Sequence, residues 1–208
     1  MSYRLNVLLV LDHAPDYRET FFRELALLTR LTVVAQSCED DGLAAPLERK
    51  GYEYIEIPTK RVAGIYWQPS LRALASRKEW DVVCMDLNLR HPARIISFIS
   101  LPGTWKKWIW RGHIFGRTES GPINIIRGFL LRRSAGCLAY SQVQADEVIR
   151  RFGVNAVSFN NSEVQACEFR SSVYQPERHV LKLLFVGRFQ PRKRLERLID
   201  LASRRSDI

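Results

Sequence analysis

Short, mostly apolar runs alternate along this chain with segments whose apolar residues recur at helical spacing. Seven such runs read as strands, at 6–11, 31–35, 54–57, 81–85, 105–110, 136–140 and 156–159. Continuous apolar strands are typical of parallel sheets, because helices cover both faces of such a sheet. Helical patterns occur at 17–30, 68–77, 93–99, 124–133 and 142–152, and Asp16 with Glu19 predicts a capping box for the first. The alternation predicts a doubly wound, Rossmann-like α/β domain over residues 1–160.

A second unit begins near the C-terminal end of the chain. Residues 161–180 are polar and irregular, which predicts a linker, and an apolar strand at 181–186 and an amphipathic helix follow within 181–208. One strand and one helix, roughly 28 residues, cannot bury a core of their own. We therefore expect 181–208 to be the incomplete start of a second domain, and the chain to be a truncated piece of a longer protein.

The charge of the chain limits the kinds of partner it can have. Its formal net charge is +10, which attracts nucleic acid, anionic lipid or phosphorylated small molecules. No apolar run reaches the roughly 18 residues that a membrane span needs. The N-terminal stretch "MSYRLNVLLVLD" contains Asp12 and lacks a small-residue cleavage site, so we expect a cytoplasmic protein. The four cysteines stand far apart, which predicts buried, reduced thiols and no metal site.

Polar side chains follow the predicted strands at the edge where open α/β sheets bind ligands. They are Asp12, His13, Tyr17, Arg18, Asp86, Asn88, Arg90, His91, Arg111, His113, Arg117 and Ser141. The sequence has no G-x-G-x-x-G or P-loop pattern, no H-E-x-x-H zinc site and no G-x-S-x-G elbow. The dehydrogenase, NTPase and hydrolase classes thereby lose their main support. We expect phosphate recognition by side-chain cations and helix N-termini.

A basic turn in the second unit fits this expectation. In "VGRFQPRKRL", Gly187 permits a sharp exit from the predicted strand, and Arg188 and Lys193 flank a turn that contains Pro191. The two cations can converge on one anion at the entrance of the next helix. The alternative is a solvated basic turn with no ligand.

Four stretches of the sequence resemble one enzyme family. "LLFVGRFQPRKRLERLIDLA" resembles the opening of the C-terminal domain of retaining glycosyltransferases with the GT-B fold, of the family-four type. "DHAPDYRETFFRELA" and "WIWRGHIFGR" are similar to segments of their N-terminal domain, and so is "LAYSQVQADEVIRRFGV" followed by "VSFNNSE". The resemblance extends over nearly the whole chain, and its most specific motif is Gly187-Arg188 with Lys193.

The resemblance implies roles for five residues. Arg188 and Lys193 stand where the family holds the diphosphate of the donor, and His113 matches the catalytic histidine that approaches the transferred sugar. Tyr17 and Arg18 fall in the junction that helps to form the acceptor side. The sequence departs from the family pattern at Arg194, where a glycine usually follows the lysine, and the motif with paired glutamates would lie after residue 208.

The function that the resemblance implies is sugar transfer with retention. A hexosyl group would pass from a nucleoside-diphosphate sugar to a saccharide or lipid-linked acceptor of polysaccharide biosynthesis, with no cofactor and no metal. We expect the 208-residue chain alone to be inactive. Two alternatives stay open: a nucleotide-sugar epimerase of the same fold, and a non-catalytic basic module that binds nucleic acid. His113 can also be a structural histidine in a loop.

The segment from Asn124 to Arg133 has two interpretations of its own. It combines an apolar face with cations, in a stretch with seven Lys or Arg between Trp105 and Arg133 and one acid, Glu119. This composition is typical of an interfacial helix that touches anionic lipid, which would give the protein a peripheral location on the inner face of the membrane. The other interpretation is an ordinary helix that packs on the sheet and has a basic outer edge.

Overall fold

The computed structural model describes residues 3–38, 43–46, 48–115, 121–159 and 193–204. The chain divides into two compact units, Met1–Glu168 and Phe169–Ile208, and the division falls inside the predicted linker. The strands are β1 (Asn6–His13), β2 (Arg30–Gln36), β3 (Glu53–Glu56), β4 (Lys60–Val62), β5 (Ile65–Trp67), β6 (Val82–Asp86), β7 (Trp108–Gly112), β8 (Gly136–Ala139) and β9 (Ala156–Ser158). The helices are α1 (Glu19–Leu28), α2 (Leu71–Ala75), α3 (Pro92–Ile99), α4 (Gly121–Arg133), α5 (Gln142–Phe152) and, in the second unit, α6 (Leu195–Ser203).

Seven strands of the first unit form one sheet, in the order β3-β2-β1-β6-β7-β8-β9. All neighbouring strands in it are parallel, and Leu9 in β1 pairs in register with Val33 on one side and Cys84 on the other. The chain builds β2 and β3 on one side of β1 and then crosses to β6 on its other side. The predicted doubly wound, Rossmann-like sheet is therefore confirmed. Its switch point lies between β1 and β6, where such sheets bind ligands outside the carboxyl ends of their strands.

Helices cover the two faces of this sheet and bury two apolar clusters. Phe22 and Ala26 of α1 pack on one face, against alternate residues of β1 such as Leu9. Helices α2, α3, α4 and α5 contribute buried residues to the cluster on the other face, which includes Leu8 and Val10. Alternate residues of β1 point to opposite faces of the sheet. Because helices cover both faces, both sets of residues are apolar, which explains the continuous apolar run. No helix in the described part of the chain is long and apolar enough to cross a membrane.

The structure adds one element that the sequence pattern does not predict. Strands β4 and β5 form a separate antiparallel hairpin. Its two-residue loop is Ala63-Gly64, and both residues have positive φ, 48° and 78°. Such loops usually carry Asn-Gly or Gly-Gly, since these residues tolerate the left-handed region. Because Ala63 is not one of these residues, the sequence does not predict the hairpin loop.

Two local predictions are wrong. The strand predicted at 105–110 begins only at Trp108, because Pro102–Lys107 forms a 3-10 segment. The capping box is absent, since a 3-10 turn, Asp16–Arg18, precedes α1. The Glu19 carboxylate instead accepts hydrogen bonds from Arg23 at 3.1 Å and from the Tyr52 hydroxyl at 2.6 Å.

Candidate functional site

A pocket of about 400 Å³ opens at the carboxyl edge of the sheet, beside the switch point. Its walls come from the ends of β1, β6, β7 and β8, from the loop after β6, and from α4. The lining residues are Asp12, Asp86, Leu87, Asn88, Leu89, Arg90, Arg111, Gly112, His113, Phe115, Ile123, Arg127 and Tyr140. Seven of the polar residues that the sequence predicts for this edge contribute to the site, six in the wall and His91 behind it. The rule for open α/β sheets thus finds the location of the pocket.

Asp12, the penultimate residue of β1, contacts a group of buried side chains behind the pocket wall. Its Oδ1 lies 2.8 Å from Nη1 of Arg94 and 3.1 Å from Nε2 of His91, and Asn88 donates to its Oδ2 at 3.4 Å. Arg94 and His91 are 0% and 1% exposed. Burial acts to raise the pKa of Asp12, but Arg94, His91 and the hydrogen bond from Asn88 together outweigh it and hold that pKa below its ordinary value. Burial and Arg94 lower the pKa of His91 to about 4, so its imidazole is neutral at pH 7.

A second ion pair connects β6 with β7. Nε of Arg111 lies 3.1 Å from Oδ1 of Asp86, and its Nη2 donates to the Tyr140 hydroxyl at 3.2 Å. Burial raises the pKa of Asp86, and the Arg111 charge offsets this only in part. Both residues are almost fully buried, yet both reach the pocket wall. The pair therefore fixes the relative position of two strand ends.

His113 stands at the exposed side of the pocket. The chain leaves β7 at Gly112 with φ 114°, a conformation that glycine adopts readily, and His113 follows. The imidazole packs edge-to-face on Tyr140, with 4.7 Å between ring centroids. Its Nδ1 lies 3.3 Å from Nε2 of Gln144, in the first turn of α5.

The hydrogen bonds of Gln144 define which nitrogen of His113 carries the proton. Oε1 of Gln144 accepts from the backbone N–H of Ile114 at 3.0 Å, so Nε2 is the donor end of the amide. Nδ1 of His113 must then accept, and a neutral imidazole carries its proton on Nε2. Among the described residues, Nε2 has no hydrogen-bond partner. The ring therefore offers an N–H donor to a ligand.

Tyr17 and Arg18 lie at the same edge of the sheet but outside the pocket wall. Tyr17 is 48% exposed, and the Arg18 guanidinium lies 5.7 Å from its ring centroid. Arg18 donates from Nη1 to the His13 carbonyl at 3.4 Å. Its charge contributes to lowering the pKa of Asp86 against the effect of burial. Arg18 thus belongs to the electrostatic environment of the pocket, whereas the Tyr17 ring faces solvent.

The two predicted donor residues belong to the second unit. Arg188 lies outside the described residues. Lys193 is exposed and comes two positions before α6. Arg194 precedes the helix with φ 51° and ψ 42°, the left-handed region that favours glycine. The backbone therefore adopts a glycine-like conformation at the position where the family pattern has that residue.

Several residues of the site are absent from the sequence-based selection. Arg94, Arg127, Tyr140 and Gln144 all contribute to the pocket or to its support. The arginines and Gln144 lie inside helices, where a polar residue ordinarily faces solvent, and only their tertiary contacts show otherwise. Among the described residues, no three His, Cys, Asp or Glu side chains cluster in a way that could hold a metal ion.

No family model matches this chain, and no curated protein resembles it significantly.

Proposed function

We propose that this chain is the acceptor-side part of a retaining glycosyltransferase that uses a nucleoside-diphosphate sugar. The main support for this proposal is the set of residues that line the pocket at the switch point. Asp12 and Asn88 offer acceptors for sugar hydroxyls, His113 offers an N–H donor, and Arg90 and Arg127 offer positive charge for phosphate. The volume of about 400 Å³ lies in the range of small-molecule sites.

In this proposal His113 acts directly on the sugar that is transferred. In a retaining transfer the sugar becomes electron-poor at its anomeric carbon as the diphosphate leaves. A hydrogen bond from Nε2 to a hydroxyl of that sugar orients the ring and stabilises its oxocarbenium-like state. Gln144 supports this role, because it keeps the proton on Nε2.

Cations of the second unit would also contribute to binding the diphosphate of the donor. In the proposal Lys193 and Arg188 neutralise the charge that develops on the departing diphosphate, as the resemblance implies. The conformation of Arg194 supports this assignment, since φ 51° lies in the left-handed region that favours a glycine, the residue of the family pattern at this position. Tyr17 and Arg18 would contact the acceptor at the edge of the pocket.

Ligand titration of the 208-residue chain tests the proposal. We expect calorimetry to detect binding of sugar phosphates or nucleoside-diphosphate sugars from a panel that varies the sugar and the base. Arg90→Gln should weaken the binding by about tenfold, the effect of losing one charge-assisted contact on an exposed side chain. Arg77→Gln is the matched control, because it removes an exposed arginine that does not line the pocket.

Two outcomes would count against the proposal. Equal losses for Arg90→Gln and Arg77→Gln would mean that the ligand responds only to net charge. Salt-sensitive binding of any DNA, with no binding of any ligand in the panel, would favour the nucleic-acid-binding alternative.

A further inference from the structure

Helix α4 carries apolar residues on two opposite faces. Its inner face packs on the sheet through Leu130 and Leu131, which are fully buried. On the outer side, Ile125 is 74% exposed, Ile126 45% and Phe129 38%. A helix that packs on one side of a sheet usually has a polar outer face. The three exposed side chains therefore indicate a surface that binds something apolar.

Cations accompany this apolar surface. Arg132 and Arg133 are exposed in the last turn of α4, and the Arg133 guanidinium lies 5.4 Å from the Phe129 ring centroid and 5.2 Å from that of Trp105. We call Ile125, Ile126, Phe129, Arg132 and Arg133 the outer face of α4. A groove of about 540 Å³ runs along it. In the sequence from 87 to 145 the only acidic residue is Glu119, so the partner of this surface is expected to be anionic.

We infer that the outer face of α4 docks on the surface of an anionic phospholipid bilayer. Isoleucine and phenylalanine side chains gain free energy when they leave water for the acyl boundary, and arginine side chains can extend from that depth to the headgroup phosphates. A second copy of the chain, docked through the same face, would bring its own Arg132 and Arg133 to the interface, which is repulsive. Nucleic acid would satisfy the arginines but would leave Ile125 without an apolar partner.

The inference goes beyond the proposed function, because it depends only on α4 and on charge. Ile123 and Arg127 of the same helix line the pocket, but Arg127 is buried on the side of α4 that packs against the sheet, opposite to the outer face. One helix therefore contributes to both the pocket and the surface that we assign to lipid.

Vesicle co-sedimentation of the whole chain tests the inference. We expect binding to phosphatidylcholine vesicles that contain phosphatidylserine and much weaker binding to phosphatidylcholine alone. Arg132→Gln/Arg133→Gln should lower the partition coefficient about 25-fold, since each cation near an anionic surface contributes about fivefold, or ~1 kcal/mol. Arg77→Gln/Lys78→Gln removes the same charge from another exposed site and should have a much smaller effect.

The apolar contribution needs its own pair of variants. Ile125→Ser should weaken the binding about tenfold, whereas Val143→Ser should leave it unchanged, because Val143 is 78% exposed but lies on α5. Circular dichroism confirms that each variant is folded. Equal binding to neutral and anionic vesicles, or equal effects of the two double variants, would overturn the inference. So would a vesicle-free dimer that Ile125→Ser converts to a monomer, because the face would then bind a second copy.

Discussion

The burial of His91 should make the stability of this protein depend on pH. Its imidazole stacks on the Tyr66 ring, with 4.8 Å between centroids, and lies against Asp12 and Arg94. Burial, Arg94 and His13 all lower its pKa, Asp12 raises it, and the result is about 4. A histidine in an unfolded chain titrates near pH 6.5. Between these two values the unfolded chain binds a proton that the folded protein does not bind.

The size of the effect follows from proton linkage. Because the folded pKa is depressed, the contribution of His91 is fully present above about pH 6.5 and is lost as the pH falls toward 4. The free energy of unfolding should decrease by ~2 kcal/mol at pH 5 and ~3 kcal/mol at pH 4 relative to neutral pH. Asp86 acts in the opposite direction, since burial raises its pKa. A variant without the imidazole is therefore needed to separate the contribution of His91 to stability from that of Asp86.

His91→Gln is that variant, because the amide keeps a polar group beside Asp12 and does not titrate. Urea unfolding followed by tryptophan fluorescence, at several values between pH 7 and pH 4, measures both proteins. The free energy of unfolding of the wild type minus that of the variant should fall by ~2 kcal/mol between pH 7 and pH 5. The contribution of Asp86 cancels in this difference. A difference that stays constant over this range would refute the account of His91 as a buried neutral base.

Three further substitutions test other parts of the fold. Arg111→Met leaves Asp86 buried without its nearest counter-charge and should lower the free energy of unfolding by about 3–5 kcal/mol at pH 7, less in acid; an unchanged urea midpoint would contradict the pairing. Phe98→Ala removes the ring that packs against three tryptophans and should cost about 3–5 kcal/mol in thermal unfolding; a loss below 1 kcal/mol would mean that the cluster is not part of the core. Ala63→Asn suits the positive φ of the hairpin loop and should stabilise the protein by ~1 kcal/mol; a lower melting temperature would argue against that turn geometry.

The sheet and the location of the pocket could be predicted because both follow from local patterns. A strand buried on both faces must be apolar throughout, so β1 and β2 stand out in the sequence. The residue after such a strand lies at the carboxyl edge, which identifies Asp12 and His113 without knowledge of the other contacts.

The remaining features depend on contacts between residues far apart in the sequence. Arg94 lies in the middle of α3 and is buried only because Asp12, at the end of β1, supplies its counter-charge. The role of Gln144 depends on the loop after β7, which brings His113 and the Ile114 N–H to the start of α5. The hairpin loop contains Ala63 at a position where the local signal would be asparagine or glycine. No periodicity in the sequence carries this information.

The most direct test of the proposed function is to observe His113 while ligand is added. The four histidines of the chain give separate imidazole signals in a carbon–proton correlation spectrum, and His113→Ala assigns the one that matters. We expect a nucleoside-diphosphate sugar or a sugar phosphate to shift the His113 signal saturably, while the signal of buried His91 stays in place. Binding should weaken about tenfold in His113→Ala, as for the loss of one hydrogen bond of ~1.4 kcal/mol. If a ligand binds and the His113 signal does not move, or if no sugar ligand binds at all, the proposed function is wrong.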